Sequence, residues 1–128
     1  MFEIKKDIKV WVERQSQLIN VTLTLNKRFI SRMHCILQED DVLQIGDILP
    51  FKKKKDYNKH YGSMMMDKLL EYASSIGVRT VCGNLSLTDI GHKNRLHAFY
   101  KKHGFEIIEF EASEGLFYGK TQKQLAGN

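Results

Sequence analysis

From Ile19 to Leu25 apolar and polar residues alternate without a break. Ile19, Val21, Leu23 and Leu25 are interleaved with Asn20, Thr22 and Thr24. A period of two sends the two sets to opposite faces of an extended strand, and valine and threonine suit that conformation. A strand must hydrogen-bond to neighbours, and the flanking residues supply them. Ile8, Val10 and Val12 alternate with Lys9, Trp11 and Glu13 before it, and Met33, Cys35 and Leu37 continue the pattern after it. After the polar turn Gln38–Asp41, the run VLQIGDILPF, Val42 to Phe51, reads as a fourth strand. Pro50 cannot donate to a ladder, so this strand is expected to end, bulge or face an edge there. The short connections predict antiparallel pairing.

The second half changes period. In YGSMMMDKLLEYASSIG, residues Met65, Met66, Leu69, Leu70 and Ala73 fall on one helical face, and Gly77 follows as a stop. Met64, Met65 and Met66 therefore read as helix packing. Val78–Leu87 reads as a strand, Thr88–Lys93 as a polar connection, and Asn94–His103 as a second helix with Leu96, Phe99, Tyr100 and His103 on one stripe. Glu106–Ala112 and Leu116–Lys120 read as a closing hairpin, with Gln122–Asn128 expected to fray. The order is four strands, helix, strand, helix, two strands. This predicts an α+β fold. Right-handed crossover makes the strands beginning at Val42 and Val78 parallel neighbours.

Length and charge narrow the function. A chain of 128 residues, 42% hydrophobic, is expected to be one domain over residues 1–128 with a real core. The net charge of +5 favours an acidic or phosphate-bearing partner without specifying one. Two cysteines, Cys35 and Cys82, do not make a disulfide framework. They also lack metal-ligand spacing with His34, so no metal is expected. The amino terminus lacks the apolar core of a signal peptide, and no window is apolar enough to span a membrane. A soluble, cytoplasmic protein is the expectation.

The chemistry concentrates in Tyr57-Asn58-Lys59-His60-Tyr61-Gly62-Ser63, between a strand and a helix. A helix start offers amides and a positive dipole end to an anion, and Gly62 permits close approach. The plainer alternative is that Gly62 makes a turn and Ser63 a cap. Neither a G-x-x-x-x-G-K-S/T loop nor a G-x-G-x-x-G loop is present.

From about Asp41 to the carboxyl end the chain resembles the GNAT acyltransferases, which move an acetyl group from acetyl-CoA to an amine. The family carries Gln/Arg-x-x-Gly-x-Gly/Ala at the strand-to-helix turn. Here Tyr57 replaces Gln/Arg, His60 replaces the first glycine, and Gly62 matches. The family also ends its second helix with a tyrosine followed by Gly-Phe, here Tyr100 and then Gly104-Phe105.

The resemblance implies a mixed, mostly antiparallel sheet with a splayed parallel strand pair and helices packed on its faces. Pantetheine would lie in the splay along Ile48 to Phe51, with Leu49 and Phe51 among the cofactor contacts. The pyrophosphate would rest on amides from Asn58 and Lys59 through His60, Tyr61 and Gly62 to Ser63. The tetrahedral oxyanion would take a backbone N–H near Leu49–Phe51. Tyr100 would protonate the thiolate, a tyrosine hydroxyl being protonated near neutral pH.

Asp47, read on a strand face with Leu43, Ile45 and Leu49, is the candidate base. His92, Asp89 and proton loss through water are alternatives. Asn94 is placed against pantetheine or as a helix cap. It lies six residues before Tyr100 rather than the usual seven, where this chain has Lys93.

Relatives place helices between the first two strands, and Trp11–Leu18 is too short to hold them. The acceptor cleft is therefore open or closed by a second copy of the chain, a homodimer. The other readings are an acyl-CoA-binding domain without turnover and a basic nucleic-acid-binding protein. The run Lys52–Lys55 would serve the latter, or CoA phosphates, but reads first as a solvated loop. No aromatic-interleaved basic strand or helix-turn-helix supports nucleic-acid binding.

Overall fold

A computed structural model describes residues 7–39, 41–48 and 60–125. Along the chain come β1 (Ile8–Gln15), β2 (Leu18–Leu25), β3 (Arg28–Gln38), β4 (Val42–Ile48), α1 (Tyr61–Ser75) and β5 (Thr80–Ser86). A 3-10 helix (Leu87–His92), α2 (Lys93–Lys102), β6 (Glu106–Glu114) and β7 (Phe117–Gln124) complete it. The seven strands form one sheet in the order β1-β2-β3-β4-β5-β7-β6. Every pairing is antiparallel except β4 with β5, which is parallel.

The alternation sets the layers. Ile19, Val21 and Leu23 of β2, with Met33 and Cys35 of β3, are buried in one cluster. Tyr61, Met65, Met66, Leu69 and Ala73 of α1 complete that cluster with Tyr100 of α2 and Phe105. The two helices therefore lie side by side on one face of the sheet. The register series on the other face runs through Leu18 and Ile36, which are 52% and 47% exposed. No described helix is long and apolar enough to cross a membrane.

The hairpins use what the sequence offers. β1 reaches Gln15, so only Ser16 and Gln17 join it to β2, with Ser16 at φ 56°. Asn26 and Lys27, both at positive φ, join β2 to β3 as a tight two-residue turn does. Gly77 and Gly104 end the two helices at φ 83° and 86°, a region costly for other residues.

Two expectations change, and β4 carries a bulge that the sequence alone did not place. The carboxyl end is not frayed from Gln122, because β7 pairs with β5 as far as Gln124 opposite Thr80, and Leu125 N–H donates to Arg79 O at 2.7 Å. The segment Thr88–Lys93 is ordered, with Thr88 N–H donating to the Ser86 hydroxyl at 3.2 Å. The bulge in β4 falls at Gly46: His34 pairs with Asp47 and Cys35 with Ile45, leaving Gly46 as the extra residue. Pro50, where it was expected, lies outside the described residues.

Candidate functional site

β4 and β5 pair over four positions, from Val42 opposite Thr80 to Ile45 opposite Gly83, and then stop. Both strands continue. Asp47 and Ile48 remain paired to His34 and Met33 of β3, and Asn84, Leu85 and Ser86 remain paired to β7. The sheet is thus split between β4 and β5 from Gly46 and Asn84 onward. A bulge stands on each side of the split, Gly46 in β4 and Tyr118 in β7, where the register steps from Leu85–Gly119 to Ser86–Phe117. Bulges bend a strand and increase its twist. The split is where two neighbouring strands bend independently, and beyond it β4 and β5 no longer pair with each other.

The bulge also corrects the placement of Asp47. An extra residue shifts the alternation by one. Asp47 falls in register with His34, outside the series of Leu43 and Ile45, which pair with Leu37 and Cys35.

At the start of α1, His60 stands before the first helical residue at φ 63° and ψ 18°. That is the left-handed conformation a glycine holds without cost, and the imidazole caps nothing. Met64 N–H makes the first helical bond, to His60 O at 3.0 Å. A Cβ on Gly62 would meet the Phe99 ring at 3.3 Å, so this glycine lets α2 close on the end of α1. Tyr61 is in the core, while His60 before it is exposed. The remaining residues expected at this turn, Asn58 and Lys59, lie outside the described residues, as do Tyr57, Leu49, Phe51 and Lys52–Lys55.

Ser63 ties the helices together. Its hydroxyl is met by Lys102 Nζ at 3.2 Å and His103 Nε2 at 3.1 Å, and His103 Nδ1 lies 3.3 Å from Asp67. The serine–imidazole–carboxylate order resembles a nucleophile relay, but the lysine donates to the same oxygen and Asp67 is exposed. The arrangement is a clamp that brings two basic side chains beside the amides of the first turn. Burial pushes the His103 pKa down, with Asp67 opposing and Lys102 and Lys123 assisting.

On α2, Tyr100 is buried, edge-on to Phe99 and Phe105 with centroids 5.6 and 5.3 Å apart. Asn94 is exposed in the first turn and helps line a shallow cavity of about 320 Å³ with Ile90, His92 and Lys93. Lys93 pairs with Glu109 of β6 and stands 5.6 Å over the Tyr118 ring. His97 Nε2 lies 2.9 Å from the Tyr118 hydroxyl. Reasoning from sequence missed this cluster, since the bulge that turns Tyr118 toward α2 exists only in the folded register. Both cysteines are free thiols, and burial pushes Cys35 up to about 12. Among the described residues no group of three or more His, Cys, Asp or Glu could hold a metal.

Known structures share this architecture. A GNAT-family acetyltransferase from Staphylococcus aureus Mu50 superposes with a TM-score of 0.69 at 13% identity, over 87% of this chain and 70% of that one. The chain has the GNAT fold. The Escherichia coli ribosomal-protein-S18-alanine N-acetyltransferase matches at TM-score 0.68 and 15% identity, covering 89% and 74% of the two chains. The PaiA N-acetyltransferase of Thermoplasma acidophilum, solved with coenzyme A, matches at 0.67 and 12%, covering 85% and 62%. The uncharacterized protein YocC of Bacillus subtilis is 33% identical over 78 residues, 60% of this chain but only 44% of YocC's length. No family model matches. In this chain two residues, Ser16 and Gln17, join β1 to β2.

Proposed function

We propose that the protein is an acyltransferase that moves an acetyl group from acetyl-CoA to a primary amine. The observation that carries this reading is the split between β4 and β5, the strands on either side of α1 in the chain. Pantetheine lies in the split as an added strand, using the backbone groups that β4 and β5 no longer give each other, with Leu49 and Phe51 beside it. The pyrophosphate rests on the turn from Asn58 to Ser63, held by backbone N–H groups rather than by a motif lysine. Asn94 meets the pantetheine from the start of α2. The coenzyme A bound to the Thermoplasma PaiA enzyme supports this choice of carrier.

The amine nitrogen attacks the thioester carbonyl, a backbone N–H near Leu49–Phe51 receives the oxyanion, and the C–S bond breaks. Tyr100 gives a proton to the departing thiolate. Asp47 stands at the mouth of the split as the acidic residue an ammonium group meets. The two-residue β1–β2 turn leaves the acceptor side open, which favours a large acceptor such as a peptide, or closure by a second copy of the chain.

Calorimetric titration with acetyl-CoA and CoA tests the carrier. Binding of both is expected, and no binding of either at millimolar concentration would refute the reading. Binding without acetyl consumption across amines, polyamines, aminoglycosides, amino acids and basic peptides would make this a non-catalytic acyl-CoA-binding domain. His60 at the family's glycine position is the observation that favours that second reading.

A further inference from the structure

Across the helix-free face, four residues stand in register on four successive strands. Glu13 of β1 pairs with Asn20 of β2, Asn20 with His34 of β3, and His34 with Asp47 of β4. The row ends where β4 parts from β5, beside the Gly46 bulge. We infer that His34 is the proton acceptor for the amine, with Asn20 as the residue that positions it. This rests on the acyltransferase reading above.

The hydrogen bond to Asn20 selects between the tautomers. His34 Nδ1 lies 2.8 Å from Asn20 Oδ1. An amide oxygen only accepts, so Nδ1 carries the proton and donates it. In a neutral imidazole the other nitrogen, Nε2, then holds a free lone pair. Nε2 is the ring nitrogen remote from the backbone, and no described helix covers this face. A ring held by its near nitrogen, with its far one unprotonated, is the form a general base requires. Cross-strand partners have Cβ atoms about 5 Å apart, so His34 stands one strand in from the edge of the split, beside the backbone of β4 where it leaves β5.

Arg32, two residues back on β3, has its Nε donating to Thr22 Oγ1 at 3.0 Å and its guanidinium over the Phe29 ring. Glu13, one strand beyond Asn20, accepts from Trp11 Nε1 at 2.6 Å. Asp47 is the partner on β4.

The protons balance. R–NH3⁺ gives one proton to His34 Nε2 and becomes R–NH2. Its nitrogen forms the C–N bond, the C–S bond breaks, and the second nitrogen proton is lost as Tyr100 protonates the thiolate and is itself restored. His34 then releases its proton to water, so R–NH3⁺ and acetyl-CoA yield the amide, CoA and one proton.

Three measurements on the full chain test this. In ¹⁵N spectra of the wild type the His34 ring is expected as the Nδ1–H tautomer, and an Nε2–H tautomer overturns the inference. In CoA-release assays with acetyl-CoA and an amine panel of spermidine, lysine and lysine-containing peptides, His34→Gln is expected to lower kcat/KM about 10²-fold. It should also erase the acid limb of the pH profile while leaving acetyl-CoA affinity unchanged. Asn20→Ala should lower kcat less and keep that limb. A wild-type pH profile in His34→Gln, or acetyl-CoA binding with no amine acetylated, overturns the role of His34 and leaves the carrier site standing. Failure of acetyl-CoA to bind removes the carrier site first and His34 with it.

Discussion

Tyr100 and Gly119 show how single residues divide between chemistry and architecture. Tyr100 is packed on two sides by Phe99 and Phe105, so its ring serves the core whatever its hydroxyl does. Tyr100→Phe keeps the ring. As a proton donor to the thiolate, the hydroxyl is then measured alone: kcat is expected to fall about 10²-fold with acetyl-CoA affinity near that of the wild type. Undiminished turnover would remove Tyr100 from the reaction. Gly119 has the opposite character. A Cβ there would lie 2.5 Å from Ile108 O and 3.1 Å from Glu109 Cα, both backbone atoms of the paired strand. Gly119→Ala must push β6 from β7, and a loss of about 1–3 kcal/mol is expected in urea titration. A loss within experimental error would show that this edge of the sheet yields freely.

Between elements, the joint of α1 with α2 makes stability depend on pH. His103 is buried there, its side chain 7% exposed against 73% for Asp67. Burial lowers its pKa below the ordinary 6.5, with Lys102 and Lys123 acting in the same sense and Asp67 against it. A histidine harder to protonate folded than unfolded contributes stability above pH 6.5. That contribution is lost as pH falls, because the unfolded chain binds more protons. His97 is shifted the same way, chiefly by burial. Urea midpoints are therefore expected to drop below pH 6.5, and less steeply in His103→Gln, with His97 accounting for what remains. Equal slopes in both proteins would assign the pH response elsewhere.

This joint was only half legible in the chain. The stripe Leu96, Phe99, Tyr100 and His103 is visible as a helical face, but its partner Ser63, forty residues away, is a matter of tertiary contact. The strands were legible because period two records burial residue by residue, as in Ile19, Val21 and Leu23. The parallel pairing of β4 with β5 followed from the intervening helix. The β4 bulge carried a signal, a lone glycine inside a strand, yet Pro50 drew the expectation because its missing N–H is the more obvious defect. The Gly46 bulge sets Asp47 outside the register series of Leu43 and Ile45, since one inserted residue reverses every later side of the strand. The row from Glu13 to Asp47 cannot be read at all until the registers of three strand pairs are known.

At the scale of the whole molecule, the split divides the sheet into β1–β4 and β5-β7-β6, joined along the sheet by four register pairs and beneath it by the helical layer. Each half keeps its own antiparallel ladder up to the split, so among the described residues Asp47–Ile48 pair only with β3 and Asn84–Ser86 only with β7. Backbone N–H groups there are expected to exchange with solvent through small openings rather than through global unfolding. A carrier lying in the split supplies the missing neighbour to both strands and couples the halves. Hydrogen exchange is therefore expected to slow on acetyl-CoA binding in these two segments and at the start of α1. The Leu18–Gln38 segment, already paired on both sides over β2, should change little. Slowing confined to α1 would place the ligand's phosphates and leave the strands unengaged. Slowing spread evenly over the sheet would reflect the general stabilisation any ligand of the folded state confers, and the split would then be a feature of the fold rather than the seat of the carrier.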